Sequence, residues 1–176
     1  MRRLSPYLAL LALPLAPLPA LAQEHAEPRC DIIRPAFPPE LSGWSTRSAL
    51  AAGKSTRSAP VMVVGRGIDL RLAAAGSVTP PVTPKKLAEA GDTAGLALFQ
   101  ITRAGTYRVA LGGPAWIDVV RAGKALPSTA HAHGPMCTGI RKIVDFRLRP
   151  GRYVLQLTGT QAPTIPVLIA HAGRAA

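Results

Sequence analysis

The sequence predicts an all-β protein, an antiparallel β-sandwich or jelly-roll-like small barrel preceded by an extended N-terminal arm. Three observations carry that expectation. One pattern is written twice: Phe99-Gln-Ile-Thr-Arg-Ala-Gly-Thr-Tyr-Arg-Val-Ala-Leu111 and Phe146-Arg-Leu-Arg-Pro-Gly-Arg-Tyr-Val-Leu-Gln-Leu157. Each copy is an alternating run, a short glycine turn and a second alternating run, the period of a half-buried strand. Short apolar runs punctuated by Gly and Pro continue from residue 61 to residue 170, the spacing of a sandwich or barrel. Gly and β-branched residues crowd the repeated segments, which disfavours helix.

The first element is a leader. Arg2 and Arg3 precede an apolar run from Tyr7 to Leu21 that ends in the small-residue pattern Ala20-Leu-Ala22. This is the anatomy of a secretory signal peptide over residues 1–22, with cleavage after Ala22 and a periplasmic or secreted mature chain. Pro14, Pro17 and Pro19 argue against a membrane-spanning helix, and no later stretch is long and apolar enough to span. Loss of the leader removes two positive charges from a formal net charge of +12.

Residues 23–60 read as the arm. Pro35, Pro38 and Pro39 interrupt helix formation, and Trp44 supplies a large apolar anchor. A short helix is expected near Ala49–Ala52. Gly53-Lys54-Ser55 lacks the upstream glycine of a phosphate-binding loop, since Ser48 stands there.

The sandwich is expected over 61–172. Val61–Leu72 reads as strand, with Ile68, Leu70 and Leu72 on one face and Asp69 and Arg71 on the other. Thr79–Lys86 is a proline-rich surface connection. Leu96–Ile101 is a nearly continuous apolar strand, and both repeat copies read as β-hairpins. Ala115–Val120 is another strand, on which Asp118 alternates with Ile117 and Val119 and is expected to be exposed. Ala122-Gly-Lys124 is a turn. Thr164–Ala170 closes the domain, and Pro166 predicts an edge position.

Chemistry-bearing residues are few. Cys30 and Cys137 are the only cysteines, and in an oxidising compartment they allow one intramolecular disulfide. His131 and His133 flank one alanine, so an extended chain turns both to one face, as two ligands of one metal require. Imidazole suits Fe, Cu or Zn. His171 is the favoured third ligand, with His25, Asp145, Asp118 or a reduced Cys137 as alternatives. The competing reading is a solvated polar loop with no metal. In cupin-type dioxygenases a glutamate follows His-x-His at a short interval, and here Cys137 stands there. No Ser-His-Asp set and no carboxylate pair are legible, which leaves a non-enzymatic binding or accessory module as the leading expectation.

Basic residues form a second candidate site. Arg108, Arg147, Arg149 and Arg152 occupy outward positions of the repeat, beside Arg141 and Lys142. Together they predict a positive face for an anionic envelope component or small ligand. The export signal and the scarcity of aromatics argue against nucleic acid.

The segments Ala104–Gly112, Ala115–Val120, Ala130–Cys137, Gly139–Lys142 and Pro150–Gln156 together resemble a group of short exported bacterial proteins. The likeness takes in Pro39–Trp44 and so most of the mature chain. Members of that group often carry the label homogentisate 1,2-dioxygenase. The resemblance implies an exported protein, and the label implies a small metal-dependent jelly-roll oxygenase. The ring-cleaving enzyme of that name is larger and cytoplasmic, and it binds iron through two histidines and a glutamate. This chain carries no matching glutamate, so no catalytic residue transfers.

Overall fold

The computed structural model describes residues 30–32, 34–86 and 88–173; the expected leader and His25 lie outside them. Eleven strands follow in chain order: β1 (Arg47–Ala51), β2 (Gly67–Arg71), β3 (Ala73–Ala74), β4 (Thr93–Ile101), β5 (Gly105–Leu111), β6 (Trp116–Arg121), β7 (Lys124–Ala125), β8 (Ala130–Ala132), β9 (Lys142–Leu148), β10 (Gly151–Thr160) and β11 (Thr164–His171). They form a six-stranded sheet, ordered β1-β2-β11-β5-β9-β8, and a five-stranded sheet, ordered β3-β4-β10-β6-β7. Among the described strands only β1 and β2 pair in parallel, with one isolated parallel bridge between Val61 and Leu98. The expected antiparallel β-sandwich is the observed fold.

The two repeat copies are not hairpins. β4 and β5 belong to different sheets, and so do β9 and β10. Each copy is an arch that crosses the core, and the copies pair with one another. β4 lies against β10 with Phe99 opposite Tyr153, and β5 lies against β9 with Tyr107 opposite Phe146. Alternation identifies a strand but not its neighbour, which is why the sequence misleads here.

The tyrosines hold the corners. Tyr107 Oη donates to Arg103 O at 2.8 Å, and Tyr153 Oη donates to Arg149 O at 2.7 Å. Tyr153 Oη also accepts from Arg149 N and from Arg121 Nη1, both at 3.0 Å. Arg121 Nη2 reaches Pro150 O at 3.0 Å, so the second corner is clamped from β6. Immunoglobulin-type sandwiches use a tyrosine in the same way, bonding a hydroxyl to upstream backbone. The two repeat glycines serve different needs. Gly151 has φ +147, whereas a Cβ at Gly105 would sit 2.4 Å from His171 Nε2. Tyr153→Phe leaves ring packing intact but removes all three hydroxyl bonds. It should cost about 1–2 kcal/mol in urea unfolding, and Tyr107→Phe, which loses one bond, should cost less. Equal costs would contradict this account of the corners.

Between the sheets, Ile68, Leu70, Phe99, Val109, Phe146, Tyr153, Leu155 and Ile169 form the main core. A large apolar side chain buried there contributes about 1.5–3 kcal/mol. A second apolar cluster covers the outer face of the six-stranded sheet. The arm turns into a 3-10 helix over Pro39–Ser45 and lays Leu41 and Trp44 on Ala110, Ile143, Leu168 and Ala170. Beyond that helix the arm supplies β1 to the sheet, so the sandwich takes in residues well before 61. Ala49–Ala51 is strand rather than helix. The backbone N–H and C=O of Gly53 both pair with Leu96, which leaves nothing there for a phosphate.

Two local expectations are corrected. Asp118 is buried, because the outer face of the five-stranded sheet is covered; it accepts from Trp116 Nε1 at 3.1 Å and Gln156 Nε2 at 3.0 Å. Pro166 lies on β11, a central strand between β2 and β5. Its carbonyl accepts from Gly112 N, so its nitrogen faces the β5 side too, one step past the last ladder pair Val167–Leu111. The proline forfeits only a reciprocal bond to Gly112 at the end of β5 and leaves the β2 ladder intact, so it is tolerated in the interior of the sheet.

Candidate functional site: a basic-rimmed cleft at one end of the sandwich

β6 and β7 end the five-stranded sheet, and β8 and β9 end the six-stranded one. Between these edges opens a cleft of about 1070 Å³. Ile117, Val144 and Phe146 form its floor, and Trp116, Leu126 and Pro127 line its apolar wall. The first three also belong to the main core and are buried, so the edge of the core closes the cleft. The remaining wall is basic: Lys85, Lys86, Arg141 and Lys142, with His131 and His133. Asp118 is the one carboxylate among the lining residues.

Lys142 is the pivotal side chain. Along β9 it shares a face with Val144 and Phe146, so it stands where the inner face of the sheet meets solvent. Its Nζ donates to Ala115 O at 2.8 Å and lies 5.7 Å from the centre of the Trp116 ring. It has no ion-pair partner among the described residues. Burial pushes its pKa below the ordinary 10.5. Between that lowered value and 10.5 the unfolded chain holds a proton that the folded chain has released, so stability rises with pH across this window. Thermal melts of wild type and Lys142→Met should therefore diverge in favour of wild type as pH climbs towards 10.5. A constant difference would count against the linkage.

β8 positions the histidines. His131 pairs with Val144 and so takes the cleft side of the strand, and Ala130 and Ala132 take the other. His133 follows in extended chain, with Nδ1 3.2 Å from Arg141 O. A carbonyl partner requires that Nδ1 carry the proton, so in the neutral ring Nε2 is the nitrogen with the lone pair. Residues 130–135 also border a smaller cavity of about 350 Å³ between β8 and the arm.

The three-histidine set does not assemble. His171 lies on β11, separated from β8 by β5 and β9, roughly 14 Å away at the usual strand spacing. There it packs edge-on against Tyr107, with centroids 5.0 Å apart. Cys137 is bonded to Cys30, as expected. Asp145 projects to the outer face of its sheet beside Arg108. Among the described residues no group of three His, Cys, Asp or Glu side chains could hold a metal ion. The residues around His131 and His133 thus do not fit a three-ligand centre.

The expected arginine face is divided. Arg108 is half-buried under the arm, 2.8 Å from Glu40 and 3.4 Å from Asp145, and so is already paired. The longer contact lacks hydrogen-bond geometry, leaving Arg108 Nε and Asp145 Oδ1 without a hydrogen-bond partner. Arg147 and Arg152 lie on the outer faces of opposite sheets, and Arg149 lies at the corner between them. The arch at residues 149–150 causes the separation, because outward positions before and after it belong to opposite sides of the sandwich. Arg141 and Lys142 alone reach the cleft. Lys85, Lys86 and Trp116 join them there. The Lys-Lys pair inside a proline-rich loop was the only sequence signal for that loop's part in the site.

No protein-family model matches this chain, and no curated protein matches it.

Proposed function

We propose that the protein is an exported, non-catalytic β-sandwich binding module that takes a ligand in the cleft between β6–β7 and β8–β9. The observation that carries the reading is the cleft itself, in which an apolar floor meets basic side chains that have no ion-pair partner among the described residues. Such a combination of apolar lining and a few converging polar groups is the usual make-up of a ligand pocket. Export is supported by the signal-peptide pattern over residues 1–22 and by the disulfide, which belongs to oxidising compartments. The experiment is amide hydrogen exchange of mature protein with the small-molecule fraction of a cell-envelope extract. Slower exchange in β6, β8 and β9 is expected, and it should vanish in an Ala125→Phe/Ser128→Phe variant that fills the mouth. No slowing, or slowing equal in the variant, would sink the reading.

One observation favours a second reading, a small metal-dependent jelly-roll oxygenase of the kind the homogentisate 1,2-dioxygenase label names: His131 and His133 share the cleft side. It needs ligands beyond those two. Iron uptake by mature protein, followed by oxygen consumption with homogentisate that a His131→Ala/His133→Ala variant loses, would establish it. Inert iron-loaded protein would dismiss it.

A further inference from the structure

The chemistry of the cleft wall narrows the ligand. We propose that the cleft takes an amphipathic monoanion, an alkyl or aryl carboxylate whose apolar body lies against Trp116, Leu126 and Pro127 and whose head group meets Lys142 and Arg141. This rests on the binding-module reading and goes beyond it by assigning the ligand's class and its orientation.

Three features of the wall point this way. First, Lys142 is half-buried and no carboxylate offsets its charge. An ammonium has three N–H donors, and Lys142 spends one on Ala115 O. Withdrawing a charge from water without a partner is unfavourable, and an anionic ligand would reverse that cost. Second, the one carboxylate lining the cleft is already committed. Asp118 accepts from Trp116 Nε1 and from the buried Gln156 amide, so it does not answer Lys142. Third, charge and apolar surface are arranged in sequence along the wall. On β9, Lys142 is followed on the same face by Val144 and Phe146, which run inward to the core. A molecule entering here passes the cation first and apolar side chains next. A small hydrated anion would gain nothing from that floor, and a neutral hydrocarbon would leave the ammonium uncompensated.

Isothermal titration calorimetry of the mature, disulfide-bonded protein tests this with three probes: sodium decanoate, decanol and sodium acetate. Decanoate should bind saturably, and both controls at least about tenfold more weakly: decanol because it loses one charge-assisted hydrogen bond, acetate because it loses the apolar body. Lys142→Met, which keeps the stem and removes the charge, should weaken decanoate by about tenfold or more and affect decanol far less, since a neutral hydroxyl loses no charge-assisted bond. Arg141→Gln, at an exposed position, repeats the test without touching the core. Decanol binding as tightly as decanoate would overturn the proposal. So would acetate binding as tightly, or decanoate binding unchanged by both variants. If decanoate fails to bind while the envelope extract still protects the cleft strands, the ligand class is wrong and the binding-module reading survives. If the extract gives no protection either, both fall.

Discussion

Protein carrying Cys30→Ser and Cys137→Ser should unfold far more easily than wild type, with a loss of roughly 4–5 kcal/mol by the chain-entropy account of a long closed loop. The disulfide joins residues 107 apart in sequence. Severing it releases the unfolded chain from that constraint. For a domain of this size the melting temperature should fall by on the order of 10 °C. The bond also fixes a particular backbone: Cys137 has φ +61, a left-handed conformation uncommon for a residue other than glycine. Wild type with reductant should fall to the same urea midpoint as the double variant. Midpoints that coincide with and without reductant would show that contacts of the folded arm, and not the bond, hold this end of the chain.

Trp44→Ala should be the most costly single change to the arm, about 3–5 kcal/mol in the same assay. The indole is 2 % exposed and packs over the outer face of the six-stranded sheet. Its Nε1 donates to Thr138 O at 2.9 Å. Thr138 in turn donates its hydroxyl to Pro135 O and accepts from Ile140 N, so the indole is tied into the loop that carries Cys137. Arg47 lies over the ring, its Nη1 on Trp44 O and its Nε on Asp69. Trp44→Phe keeps most of the apolar contact and strands the Thr138 carbonyl, for which about 1–2 kcal/mol is expected. A phenylalanine variant as unstable as the alanine variant would shift the weight from packing to the hydrogen bond.

How far the sequence could be read depended on whether the deciding contact was local. The faces of β2 are decided by adjacent residues, and Ile68, Leu70 and Leu72 do point away from Asp69 and Arg71. The Ala122-Gly123 turn is local as well: both residues have positive φ and join β6 to β7. The disulfide was legible because two cysteines leave one choice. Strand partnership was not, since Phe99 meets Tyr153 across intervening strands that no local pattern encodes. Asp118 and Pro166 misled for the same reason. A covered outer face and a neighbouring strand's end are properties of the assembled sandwich. At the site, the histidines stood out by composition. The role of Lys142 depended on which way β9 turns its side chains at the cleft mouth, and that of Lys85 and Lys86 on where a loop far away in sequence comes to rest.

The placement of β11 governs how this chain can reach its fold. β11, the last of the described strands in chain order, sits between β2 and β5, and both rely on it for half of their backbone pairing. Until β11 is available, the six-stranded sheet exists only as separate β1–β2 and β5–β9–β8 pieces with bare edges. The arches add to the delay, since β4 and β5 must wait for β10 and β9. Such non-local pairing belongs to the slow end of two-state folding, milliseconds to seconds. A chain emerging from its N-terminus cannot settle piece by piece; it commits once, when β11 slots into the gap. A truncation just before Thr164 would leave two open strand edges, the surfaces on which β proteins aggregate.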